Sequence, residues 1–289
     1  MLGLQPRKEE EQLEDRRRDR QNQRVEEFRA HRALPSEPGS SARFRHAEGT
    51  TAATAGRAMI AARRRDAATR YRCLIIDHDD TAVDSTRRVH YPAHVRSMEV
   101  LRPGSPPIDL DTWFAKNCDP GIMGFLVEEL ALTPEELAVE HEIWRTFTER
   151  ETPRFYPGFL AALAAYKAGG GRVVVVSHSE SHVIEAHYRA ADGGHGPMPD
   201  LVFGWELGTD RRKPNPYPVH ETVRRLGLEP RDVLVVDDLK PGVVMARAAG
   251  VDAAAAGWAH DIPSIRAFMR RSCVAYFGTV AEFAEFILR

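Results

Sequence analysis

The chain has 289 residues, 43% hydrophobic and 28% charged, the proportions of a globular protein with room for a sizeable core. With 40 basic and 42 acidic residues its net charge is -2, so no overall field recommends nucleic acid, and an anionic partner needs a local positive site. Cys73, Cys118 and Cys273 are too scattered for a disulfide framework or a metal-ligand pattern, and no apolar run approaches the roughly 20 residues of a membrane helix.

Residues 1–70 differ in kind from the rest. Met1 to Ser40 carries nine Lys/Arg and nine Asp/Glu but few large apolar side chains, too little to offset the entropy of ordering. Ser41 to Arg72 holds eight arginines against two acids, a composition similar to an organelle address; a translation start at Met59 is an alternative reading. The expectation is a disordered or targeting arm over 1–70, on a protein that otherwise has no address beyond the cytoplasm.

Regular alternation begins at Tyr71. RCLII reads as a buried strand. Residues 85–155 contain no comparable strand; there LTPEELAVEHEIWRTFTER carries a capping box, Thr133 with Glu136, ahead of a helical repeat. FLAALAAYKAGGG is a helix closed by glycines, and RVVVVS a second buried strand. Helix SHVIEAHYRAAD, strand LVFGW, helix YPVHETVRRLGL, strand VLVVDD, helix PGVVMARAAG and a weaker strand DAAAAGW follow; CVAYFG and AEFAEFILR supply an edge strand and a terminal helix. Strands separated by helix-length segments predict an α/β fold: a Rossmann-like, three-layer core with a parallel sheet over 71–84 and 156–289, and a helical cap over 85–155 inserted after the first core strand.

Three apolar runs end in polar residues: LIIDHDDT, VVVVSHS and VLVVDD. Ligands of such sheets bind beyond the carboxyl ends of the strands, so if these strands are neighbours, Asp77, Asp79, Ser177 and Asp238 converge, with Lys213 supplied by the loop RRKPNPYP. An oxygen-rich cage of this kind suits Mg²⁺, and no cysteine or histidine set at the strand ends recommends zinc. A carboxylate beside such a cation can attack phosphorus, while lysine and metal offset the charge of the transferring group. Taken singly the motifs are weak: Ser177 reads equally as a helix N-cap, and Asp237-Asp238 as caps of the helix at Pro241. His178, His182 and His187 stand four and five residues apart, and the first pair could share a helix face as zinc ligands, but no nearby cysteine or carboxylate completes a set.

Together the motifs resemble the haloacid dehalogenase superfamily, on its phosphatase side and in the phosphoglycolate-phosphatase-like branch, over residues 72 to about 260. Asp77-His78-Asp79-Asp80-Thr81 matches the first motif, Ser177 the second, Lys213-Pro214-Asn215-Pro216 the third and Asp237-Asp238 the fourth. The resemblance implies that Asp77 is the nucleophile, that Asp79 protonates the leaving oxygen and then activates water, and that Ser177 and Lys213 hold the phosphoryl group. It implies Mg²⁺ on Asp77, Asp79 and Asp238, with Asp237, on a position commonly glycine in the family, an outer acid. Two departures stand out: Gly242 where many relatives carry a second acid, and Asp80 where a glycine is common. An acid at position 79 disfavours dehalogenase and phosphonate chemistry, which need none. The expected activity is hydrolysis of a small phosphorylated metabolite, phosphoglycolate-like or a sugar phosphate, through an aspartyl-phosphate, without nucleic acid or membrane as partner. A sugar phosphomutase and a non-catalytic phosphate-binding protein are the alternatives. His90, Arg96, Arg102 and Lys116 are candidate cap contacts to substrate.

Overall fold

The computed structural model describes residues 71–289; the expectations for the arm over 1–70 lie outside them. Eight strands follow in chain order: β1 (Cys73–Ile76), β2 (Val83–Asp84), β3 (Arg154–Phe155), β4 (Arg172–Val176), β5 (Leu201–Phe203), β6 (Val233–Asp237), β7 (Asp252–Ala256) and β8 (Ala275–Phe277). Six form one parallel sheet in the order β5-β4-β1-β6-β7-β8. Its central strands are valine-rich because both faces are covered. Ile75, Val174, Val176, Val233 and Val235 pack into one core layer, and Leu74, Ile76, Val173, Val175, Leu234 and Val236 into the other. β7 is four alanines after Asp252, a strong helix sequence held as a strand between β6 and β8, where tertiary pairing overrides propensity.

Between β1 and β4 the chain leaves the sheet for a helical cap. Its helices are α1 (Tyr91–Leu101), α2 (Leu110–Cys118) and α3 (Pro134–Arg150), and α1 packs on α3. The capping box at α3 forms: the Glu136 N–H donates to Thr133 Oγ1 at 3.2 Å and the Thr133 N–H to Glu136 Oε2 at 2.9 Å. Trp113, Phe125, Leu126 and Leu132 make the cap's own small core. The antiparallel ribbon of β2 on β3 ties the outgoing and returning chain together at the root of the cap. After it come α4 (Phe159–Ala168), α5 (Ser181–Ala190), α6 (Tyr217–Leu226), α7 (Lys240–Ala248), α8 (Pro263–Ser272) and α9 (Val280–Ile287). The sequence reading passed over α8, although its signal was present: Ile262, Ile265 and Met269 recur at helical spacing and bury one face, with Pro263 at the first position. Among the described residues no helix is long and apolar enough to cross a membrane.

On α3, burial pushes the Glu140 carboxyl up to about 7 from 4.5, with no neighbouring cation to offset it. A carboxyl whose folded pKa is raised contributes its full share of stability below the unfolded value and loses it as pH climbs through 7. Glu140→Gln is therefore expected to match the wild type in urea unfolding at pH 4.5 and to exceed it by about 1–2 kcal/mol at pH 8, a figure discounted because the residue is partly exposed. A stability gap independent of pH would refute this.

Candidate active site

Parallel register makes the site. Ile76 lies level with Val175 of β4 and Val236 of β6, so the residues that follow all leave the sheet at the same edge. Asp77 continues β1, Ser177 follows β4, and Asp237 and Asp238 close β6. Lys213 reaches the same point from the loop between β5 and α6: its Nζ lies 2.6 Å from Asp77 Oδ1 and 2.9 Å from Asp237 Oδ2. The His78 N–H donates to the same Asp77 Oδ1 at 2.8 Å, which pins that oxygen. Asp77, Lys213, Asp237 and Asp238 are each at most 6% exposed.

So much buried negative charge needs a cation. Burial, with Asp237, Asp238 and Asp79 nearby, drives the Asp77 carboxyl well above its usual range, and Lys213 offsets only part of this. Burial likewise opposes the charge of Lys213, but Asp237 and Asp77 outweigh it and hold the ammonium charged. Oxygens of Asp77, Asp237 and Asp238 come within 4.8 Å of one another, a group able to hold a metal ion. Among the described residues Asp238 Oδ2, which is buried, has no hydrogen-bond partner, although the His260 ring lies 3.5 Å away. Hard oxygen donors and an orphaned carboxylate oxygen fit Mg²⁺.

Asp79 faces other partners. Its Oδ2 accepts from Ser177 Oγ at 2.8 Å and Ser179 Oγ at 2.7 Å, and its Oδ1 lies 2.9 Å from His90 Nε2. Burial works to raise its pKa, yet the His90 ring beside it and the Ser179 hydroxyl prevail and keep the carboxyl well below its usual range. Next to it, Asp80 adopts a left-handed backbone with φ +58°, the conformation for which the sequence reading judged Asp an acceptable replacement of glycine. Its carboxylate accepts the Thr86 N–H at 3.3 Å, tying the turn to the first residues of the cap.

The geometry converges with comparison to known proteins. A family model for haloacid dehalogenase-like hydrolases matches residues 71–250, more than half of the chain. The chain belongs to this family. It is 34% identical over 134 residues to the phosphoglycolate phosphatase of Rhodospirillum rubrum, covering 45% of this chain and 49% of that protein, so the match spans about half of that relative's length. The phosphoglycolate phosphatase of Haemophilus influenzae is 25% identical over 207 residues, covering 68% and 90% of the two chains. Among solved structures, a protein of Bacteroides fragilis described as a haloacid dehalogenase-like hydrolase superposes with a TM-score of 0.63 at 18% identity, over 74% of this chain and 99% of that one. At that identity the likeness speaks for the fold.

Within this haloacid dehalogenase-like frame, the residues singled out from sequence separate into groups. Asp77, Lys213, Asp237 and Asp238 cluster directly, while Asp79, two residues on from Asp77, is bound by Ser177. Ser177 does not cap α5: the N-cap is Glu180, and the Ser177 hydroxyl instead donates to Asp79 and accepts the Ser179 N–H at 3.0 Å. Asp237 binds the Leu239 N–H at 2.9 Å just ahead of α7, so it serves the helix start and Lys213 together. Gly242, on the first turn of α7, abuts Asp237: a Cβ there would collide with the Asp237 carboxylate. The glycine at 242 thus leaves room that the Asp237 carboxylate fills.

Of the four candidate cap contacts, Arg96 pairs with Glu99, Arg102 with Glu136 and Lys116 with Glu129, all within the cap. Of the four, only His90 reaches Asp79. His178 meets the Lys213 backbone oxygen at 2.8 Å, His182 approaches Glu180, and His187 lies 3.0 Å from the buried His78, so the three share no ion. The sequence reading missed Ser179, Trp144 and His260. Ser179 had a signal, being the second hydroxyl of SHS beyond β4; the other two are visible only in the fold.

Proposed function

We propose that this chain is a Mg²⁺-dependent phosphatase that hydrolyses a small phosphate monoester through an aspartyl-phosphate on Asp77. The observation that carries the reading is the Lys213 ammonium held between Asp77 and Asp237, with Asp238 alongside and Asp79 two residues from the nucleophile. Asp77, Asp238 and Asp237 would hold the ion, Asp237 at the side shared with Lys213; bound there, Mg²⁺ supplies positive charge for the phosphoryl oxygens.

An Asp77 oxygen attacks phosphorus opposite the ester oxygen, and the bond from phosphorus to that oxygen breaks as it takes a proton from Asp79. Beside a phosphate dianion, like-charge repulsion favours the protonated form of Asp79 that this step needs. In the second step Asp79, now ionised, takes a proton from water. The water oxygen attacks phosphorus, the bond to Asp77 breaks, and inorganic phosphate leaves with both aspartates restored. Ser177 and Lys213 hold the phosphoryl oxygens meanwhile, and the cap excludes bulk water. A binding-only protein has no use for a leaving-group acid. The glycine at 242 is accounted for by the Asp237 carboxylate that occupies the space. The names of the curated relatives make phosphoglycolate the first substrate to try, with sugar phosphates next, and the cytoplasm is the expected place of work.

The test is release of inorganic phosphate from a panel of monoesters. With Mg²⁺ turnover is expected; chelation with EDTA should lower it about 10³-fold, several kcal/mol of lost charge stabilisation, and added Mg²⁺ should restore it. No release from any ester at any Mg²⁺ concentration would end the proposal.

A further inference from the structure

The root of the cap carries a chain of hydrogen bonds that ends on Asp79. Trp144, on α3, donates its indole N–H to His90 Nδ1 at 3.0 Å. An indole nitrogen can only donate, so it occupies the acceptor side of the imidazole and leaves Nε2 to donate to Asp79 Oδ1 at 2.9 Å. The two rings lie nearly parallel, 14° apart with centroids at 6.1 Å, which holds the imidazole plane as well as its direction. From the core side, Ser177 and Ser179 both bind the other oxygen, Oδ2. The carboxylate is therefore gripped on one oxygen by the core and on the other by the cap.

Trp144 also marks where cap meets core. It lies 6.4 Å from Trp205, which follows β5, and His141 one helical turn earlier stacks on the same indole at 6.1 Å and 19°. Trp205 in turn lies over the Arg212 guanidinium at 3.4 Å, next to Lys213 in the chain. Any displacement of α3 from the core pulls on Trp144, and through it on the imidazole that orients Asp79.

Resting on the phosphatase reading above, we propose that His90 is a positioning residue for the leaving-group acid, set by Trp144. The pair makes the acid function of Asp79 depend on the cap being seated on the core. Asp77 has its own support in Lys213 and the His78 N–H, so attack on phosphorus does not pass through this chain. Loss of His90 should hence slow departure of an alkoxide, which needs a proton from Asp79, and spare departure of a leaving group that needs none.

Two esters separate these steps: 2-phosphoglycolate, whose alkoxide leaving group needs protonation, and 2,4-dinitrophenyl phosphate, whose phenolate leaves without it. His90→Leu is expected to lower kcat/KM about 10²-fold for the alkyl ester, within the range for a positioned acid, and by about threefold or less for the aryl ester. This ratio reports the steps through departure of the leaving group and not the later attack of water, which also uses Asp79. His90→Gln, which can still donate to Asp79, should recover most of the loss, and Trp144→Phe should show the same selectivity more weakly. Parallel losses on the two esters, in His90→Leu or in the soluble Trp144→Phe, would mean a merely structural role and overturn the proposal. A wild-type protein that hydrolyses neither ester, nor any other monoester, would instead overturn the phosphatase reading and this role with it. Turnover of the aryl ester by His90→Leu also shows that the variant has folded.

Discussion

Asp77→Asn is expected to lose turnover of every phosphate monoester by about 10⁴-fold or more while remaining as well folded as the wild type, or better. Asparagine keeps the shape of the side chain and an oxygen that can accept from the His78 N–H and Lys213, but it is too poor a nucleophile to form the acyl phosphate; losses of this size are typical when a covalent nucleophile is removed. The prediction on folding comes from burial. The Asp77 charge is held among Asp237, Asp238 and Asp79 with Lys213 as its nearest cation, so in the metal-free protein a neutral isostere relieves repulsion that the charged form must bear. Thermal unfolding in EDTA should show Asp77→Asn at or above the wild-type midpoint. Full turnover in the variant would dispose of the mechanism, and a variant that fails to fold would contradict the electrostatic account of the site.

Lys213→Met should lose both properties. Methionine matches the length of the stem but leaves Asp77 and Asp237 buried without a cation, and breaking a buried ion pair by removing one partner costs about 3–5 kcal/mol. For a folded region of this size that corresponds to a fall of roughly 6–20 °C in the midpoint. Turnover should drop about 10³-fold, because the ammonium is also a preorganised charge for the phosphoryl oxygens. Arginine is a poor substitute: its planar fork is broader than the space between two carboxylates that one ammonium nitrogen bridges. The stability deficit has a direction in pH. With the ammonium gone, Asp77 and Asp237 relieve their burial by taking up protons, so melts at pH 5 should show a smaller deficit than melts at pH 7.5. A deficit that stays constant or grows towards low pH would mean that the lysine stabilises by packing instead.

Much of this site was legible because each strand end announces itself. The apolar runs before Asp77, Ser177 and Asp237 read as strands buried on both faces, and parallel pairing forces their ends to one edge of the sheet. Lys213 was found by its place in the KPNP segment. What was not legible depends on distances through space. His90 stood out as a polar residue in the cap and was read as a substrate contact, whereas it bonds Asp79; nothing in the linear sequence joins residue 90 to residue 144. Of the expected ion set, the side chains of Asp77 and Asp238 gather with Asp237, while the Asp79 carboxylate turns to Ser177, Ser179 and His90, because side-chain direction after a strand end is set by the partners waiting there. The β2–β3 ribbon escaped notice since two residues per strand carry no periodicity, and α8 was overlooked between two more conspicuous segments.

The crowding of Gly242 against Asp237 reaches beyond this molecule. An acid arriving first at 242 collides with the carboxylate already present, and a glycine arriving first at 237 leaves the ammonium with a single anion. Either order of substitution passes through an impaired intermediate, so the two positions form an epistatic pair separated by a fitness valley. Sequences of this branch are expected to divide into two camps, acid–glycine and glycine–acid, with few lineages caught between them.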